Sequence, residues 1–243
     1  MLLDYIQILT QGDPSSVKIY TILLPLYIIA ILFTLSVHET AHGFIARKCG
    51  DSTAYNLGRL TLNPLKHIDP VGFICMLVAG FGWAKPVPVN SRNFRKPRRD
   101  MALVAFAGPA SNLIMALFFA IIAVLANPLI NKLILLSYEN QFLTYLVFAL
   151  AMFIQILVSM NITLAVFNLL PIPPLDGSKI LYTFLPTKLY FKIAPYERYI
   201  SLVLMILLIT GIVSPLISTV SDFIYNTMFT GVSFVVNSIK NLF

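Results

Sequence analysis

Apolar and charged positions alternate along this chain on the scale of whole helices rather than of single turns. Stretches free of Asp, Glu, Lys and Arg cover Ile19–Val37, Met101–Asn131, Asn140–Leu175 and Tyr199–Ser221. Each reaches the roughly 18–20 residues that a helix needs to cross a hydrocarbon layer about 30 Å thick. The pattern therefore predicts an all-α polytopic membrane protein with four transmembrane helices. The apolar run Pro70–Ala84 is shorter and holds Gly72, Gly80 and Gly82, which suits a re-entrant or interfacial segment whose backbone is satisfied by protein or water. Directly after it, "WAKPVPVN" alternates valines with prolines and reads as an edge strand able to pair with another extended chain, or as an interfacial anchor built on Trp83. The last apolar run, Phe223–Ile239, is interrupted by Asn226, Thr227, Thr230, Gly231, Ser233, Asn237 and Ser238, and predicts an amphipathic surface helix or a weak fifth span. No internal repeat is visible, so the expectation is one membrane-embedded domain over residues 1–243.

Composition agrees with a lipid solvent. The chain is 58% hydrophobic and 11% charged, with a mean hydropathy of +0.84, against about 25% charged residues in an average soluble domain. Asp4, Asp13 and Pro14 stand where a cleavable leader would carry basic residues, so the first span itself is expected to direct insertion. Cys49 and Cys75 lack metal-type spacing and read as ordinary packing thiols.

The net charge of +7 changes the picture through its distribution. Ten of the 17 basic residues, from Arg47 to Arg99, lie between the first two spans, whereas the next loop holds only Lys132 and the one after it Lys179, Lys188, Lys192 and Arg198. By the positive-inside rule the first and third connections face the cytoplasm and the N-terminus faces outward. The cluster Arg92–Arg99 then reads as a topology anchor in contact with anionic lipid. Nucleic-acid binding is disfavoured, because no stacking pattern or fold signature accompanies the charge.

Candidate chemistry sits at the end of the first span, in "FTLSVHETAHGFIARK", residues 33–48. On a helix His38 and His42 stack on one face and can reach one metal ion, while Glu39 can touch water held by that ion. A catalytic zinc usually has three protein ligands, and the residues after His42 exclude a third histidine in the extended form of this motif. His67, among turn formers in the basic loop, is a weak candidate that also reads as a solvated polar residue. Asp176 stands apart: it closes the uncharged run from Asn140 and lies in "NLLPIPPLDGSKIL", where Pro171, Pro173 and Pro174 forbid a regular helix. The first and third spans both run inward, so His42 and Asp176 end on the same side. A helix-capping role for Asp176 is compatible with the same position.

Together "HETAH", "AGPASN" and "NLLPIPPLDG", with "LNPLKHIDPVG" and "FGWAKPVPVN", resemble the site-2 protease family of intramembrane zinc metalloproteases, over about residues 30–185. The resemblance implies a catalytic core over about residues 19–185, one zinc ion per chain held by His38, His42 and Asp176, Glu39 as the catalytic carboxylate, and Asn168 near the scissile bond. It also implies a transmembrane protein as substrate and a cell-membrane location with the active site near the cytoplasmic side. Many relatives carry a PDZ domain or a nucleotide-sensing module; the short Asn127–Gln141 loop and the few residues after Ser221 lead us to expect a compact form with neither. Asn112, where small residues open the second span, reads equally as structural or as part of the site. The competing class is a metal-binding transporter or sensor that does not hydrolyse peptides. Glu39 separates the two, because a pure binding site needs no general base beside its ligands.

Overall fold

The computed structural model describes residues 14–79, 82–137 and 140–240, and the acidic N-terminal residues used to judge the leader lie outside them. Helices dominate. α1 (Pro14–Lys48) runs through the first uncharged stretch and carries His38, Glu39 and His42 in its last turns, closing on Arg47 and Lys48, whose charge suits a helix C-terminus. A single turn, α2 (Thr53–Asn56), follows, and then α3 (Pro70–Ala79). α4 (Pro97–Leu136) starts on a proline, and Asp100 in its first turn accepts from the Lys96 N–H at 2.8 Å, as a helix entry requires. α5 (Gln141–Leu169) begins where Asn140 accepts the Leu143 N–H at 3.1 Å and stops just before the proline-rich turn. α6 (Asp176–Phe184), α7 (Thr187–Ile193), α8 (Glu197–Ile209) and α9 (Ser214–Lys240) complete the chain.

The long helices form one bundle. α1 and α5 lie side by side in the same direction: Ala30 packs on Ile156 and Leu157, and four residues further the Asn161 amide donates to Thr34 Oγ1 at 3.1 Å. α4 returns against both. Its buried small residues Ala116 and Ala120 let α5 approach closely through Val158, Ile162 and Val166, with Val232 of α9 closing the cluster. α9 runs antiparallel to α5, and the Tyr225 hydroxyl donates to Gln155.

Among the described residues three helices, α1, α4 and α5, are long and apolar enough to cross a membrane, and a fourth span is found there only if α8 and α9 count as one. The run Tyr199–Ser221, expected to form the fourth transmembrane helix, is divided between α8 and α9. The chain breaks after Ile209, where Gly211 takes φ +73°, and the two helices meet at 78°. Pro215, lacking an N–H, then fits the first turn of a new helix rather than the interior of an old one. α9 continues through Ser221 into the run expected to be a separate C-terminal element.

The segment that begins at Ile68 comes back to it at Ala84. Ile68 and Ala84 form an isolated antiparallel bridge, and the Lys85 N–H donates to His67 O at 2.8 Å. Gly72 permits this neck, because a Cβ there would lie 2.1 Å from the Trp83 carbonyl oxygen. At about 15 Å, α3 reaches through only half of a bilayer core. The edge strand expected in "WAKPVPVN" is not formed among the described residues. Pro86 and Pro88 have no N–H to offer a ladder, and side chains hold the backbone instead: Arg59 donates to Lys85 O at 2.9 Å and Pro86 O at 3.2 Å, and Asp51 accepts from the Asn90 N–H at 2.7 Å.

Candidate metal centre

The fold gathers three of the residues singled out from the sequence. His38 and His42, one turn apart on α1, present their Nε2 atoms 3.0 Å from each other, and Asp176 Oδ2 lies 3.2 Å from the first and 3.0 Å from the second. All three side chains are buried. Asp176 opens α6, and the proline-rich turn after α5 aims it back at α1.

The second nitrogen of each imidazole is already committed. His38 Nδ1 lies 3.3 Å from Asn112 Oδ1, and His42 Nδ1 lies 2.7 Å from the Val104 carbonyl oxygen, both on α4. These acceptors hold the protons on Nδ1, which turns both Nε2 lone pairs toward the Asp176 oxygen. Three lone pairs converging within about 3 Å repel one another unless a cation lies between them. Two imidazoles and a carboxylate are also the donor types and number that a catalytic zinc takes, so the residues fit that metal. The Lys179 ammonium beside Asp176 favours the anion that a metal-binding carboxylate must be. Lys179 Nζ donates to the other oxygen, Oδ1, at 3.0 Å, leaving Oδ2 to the cluster.

Gly108 forms the floor. A Cβ there would stand 2.5 Å from His42 Nε2 and 2.6 Å from His38 Nε2, inside the space on which the three ligands converge. Its absence keeps that space open.

Glu39 stands beside the cluster and outside the converging set. Its Oε2 accepts the Val87 N–H at 2.8 Å, which ties the carboxylate to the "KPVPVN" segment. The Asn168 amide donates to Leu164 O of its own helix at 3.0 Å. His67, read as solvated or as a weak ligand, lies away from solvent and outside that three-residue group. It is 2% exposed with Nε2 against Thr61 O at 2.7 Å, and it fastens the loop below α3. Asn112 was left undecided by sequence reasoning and proves to be the partner of a cluster histidine, while Gly108 was read only as one of the small residues that open the second span, and Lys179 only as a loop charge. Their spacing from the next motif residue, four from Gly108 to Asn112 and three from Asp176 to Lys179, was the available signal.

The family model for peptidase family M50 matches residues 26–211. The chain is similar to "Putative zinc metalloprotease YwhC" of Bacillus subtilis, with 43% identity over 77% of this chain and 82% of that protein. It is 32% identical to "Putative zinc metalloprotease Rip2" of Mycolicibacterium smegmatis over 74% of this chain and 64% of that protein. For the Mycobacterium tuberculosis protein of the same name the figures are 31%, 72% and 63%, so the chain spans just under two thirds of the mycobacterial relatives. No solved structure matches it.

Proposed function

The chain belongs to peptidase family M50, the site-2 protease family, and from that premise we propose that His38, His42 and Asp176 hold its zinc while Glu39 serves as the general base. It is an integral membrane zinc metalloprotease, and the transporter or sensor reading falls away with the family. The observation that carries the residue assignment is the convergence of two Nε2 lone pairs and one carboxylate oxygen around the space left by Gly108.

Zinc, when bound, supplies Lewis acidity: it lowers the pKa of water to about 7 and polarises the scissile carbonyl. The protein does the rest. Asn112 and the Val104 carbonyl fix the tautomer and direction of the two imidazoles, and Lys179 fixes the carboxylate. Glu39, next to His38 in sequence but free of the ligand set, takes a proton from water as the peptide carbonyl is attacked and returns it to the leaving amine. Asn168 supplies an oxyanion donor once its amide leaves Leu164 O for substrate.

The substrate is a transmembrane segment of another protein, unwound at the cut because a helix buries its carbonyls in its own hydrogen bonds. The reading extends to four membrane crossings in one domain, the fourth made by α8 and α9 together, with α9 antiparallel to α5. It also takes residues 68–84 as a re-entrant hairpin, since their two ends are bridged and α3 is too short to cross. The basic loop and the cluster share one end of the bundle, where Thr183 of α6 donates to Arg98 O at 3.4 Å; by the positive-inside rule that end is cytoplasmic, in the cell membrane, with the arginines against anionic lipid.

The test is purification in detergent, zinc analysis, and incubation with single-span substrates. About one zinc per chain and cleavage within or beside the span are expected, with zinc lost in His38→Ala, His42→Ala and Asp176→Ala. Unchanged metal content in all three variants would remove the site.

A further inference from the structure

A cavity of about 610 Å³ opens between α1, α5 and α9, below the hairpin. Leu35 and Phe167 line one end, each next to a residue of the proposed site, since Leu35 is one turn before His38 and Phe167 precedes Asn168. Farther along, α9 contributes Ser218, Ser221 and Asp222. Asp222 makes no hydrogen bond or ion pair among the described residues, and no Lys or Arg lines the cavity. Ser221 is 7% exposed, and its hydroxyl has no partner either.

The helix register gives the depth. Thr34 meets Asn161 and Tyr225 meets Gln155, so Asp222, one turn before Tyr225, lies level with Ser159. That is roughly 10 Å along the bundle from the level of His38, at 1.5 Å per residue. A carboxylate at such depth is costly, and where one persists it faces a cavity and a partner. A buried hydroxyl with no partner likewise calls for a polar group from an occupant.

We propose that this cavity receives the substrate's transmembrane segment, and that Asp222 selects segments carrying a lysine or arginine about 10 Å from the scissile bond. The inference rests on the proteolytic reading above. It names a cationic side chain because, among the described residues, the unpaired acid is the one formal charge on the cavity wall and Ser218 and Ser221 can accept its remaining N–H groups.

The experiment uses the full-length zinc-loaded protein in liposomes with single-span substrates in which one lysine is walked through an otherwise leucine-rich segment. Wild type should cut best with the lysine at one depth, by about tenfold over the all-leucine segment, the size of a partly desolvated charge pair. In Asp222→Asn that ratio should fall to about one, and in Asp222→Lys the preference should pass to a glutamate at the same depth. Docking is read separately from cleavage by disulfide trapping in the Glu39→Gln background, between Ser218→Cys and a cysteine one turn from the substrate lysine. Cleavage with no dependence on lysine depth, an equal loss for every segment in Asp222→Asn, as a mere water path would give, or a trap formed equally at all positions would each overturn the assignment and leave the protease standing. A wild-type protein that traps the lysine segment at one depth yet cuts nothing would overturn the proteolytic reading and keep the docking site.

Discussion

Two buried aspartates near the same end of the bundle have opposite surroundings. Asp51 is 0% exposed and meets donors only: the Thr53 N–H at 3.1 Å, the Thr53 hydroxyl at 2.5 Å, the Asn93 amide at 2.8 Å and the Asn90 N–H at 2.7 Å. Asp176 meets two imidazole nitrogens whose protons are engaged elsewhere, and one lysine. The first carboxylate is satisfied by the protein and clasps the loop between α1 and α4. The second is left in want of a cation at the oxygen that faces the histidines. Both are buried acids, and only their partners tell a structural clasp from a candidate metal ligand.

Substitutions that spoil one aspartate and spare the other break this comparison most sharply. Asp176→Ala should remove zinc and reduce proteolysis to background, read by metal analysis and substrate cleavage. Gly108→Ala should act almost as strongly without touching a ligand, because its Cβ enters the space 2.5–2.6 Å from the two Nε2 atoms. Zinc retention in that variant would mean that the metal sits elsewhere. Lys179→Met removes a half-exposed partner that steers Asp176, and a zinc titration should show affinity weakened by about tenfold, the lower end for groups that orient a ligand.

Asp51→Asn should leave zinc and cleavage in place while lowering stability by about 2 kcal/mol, the scale of hydrogen bonds to a charged group, as seen by thermal unfolding. The pH dependence sharpens it further. Burial acts to raise the Asp51 carboxyl, but hydrogen bonds from Thr53, Asn90 and Asn93 outweigh it and hold the folded value below the ordinary one. A depressed folded value stabilises the protein above the unfolded carboxyl value of about 4, and this contribution is lost as pH falls through the folded value. Melting followed down to about pH 3 should therefore show a larger acid-induced loss in wild type than in Asp51→Asn.

Much of this architecture was legible in the sequence because lipid leaves few alternatives to helices. Uncharged runs located α1, α4 and α5, although the helices continue past those runs into charged ends. The bend at Gly211 was not legible: a run without charge looks the same whether straight or broken, and a lone glycine inside it is ambiguous. The cluster was half legible. His38 and His42 follow from helix periodicity, and Asp176 from its isolation after an uncharged run. Asn112 and Gly108 share one face of α4 by their spacing, but their roles come from contacts with α1 that the spacing alone does not reveal. His67 misled in the other direction, since turn-rich surroundings suggest solvent while the folded loop buries the ring.

The most direct measurement of the central claim is zinc content and cleavage in Glu39→Gln beside wild type. The amide has nearly the size of the carboxylate but cannot take up a proton, and Glu39 lies outside the ligand set. About one zinc per chain is expected in both proteins, with cleavage of a single-span substrate at least about a hundredfold slower in the variant. Undiminished cleavage by zinc-loaded Glu39→Gln would contradict the account, because the proton would then be carried by another residue.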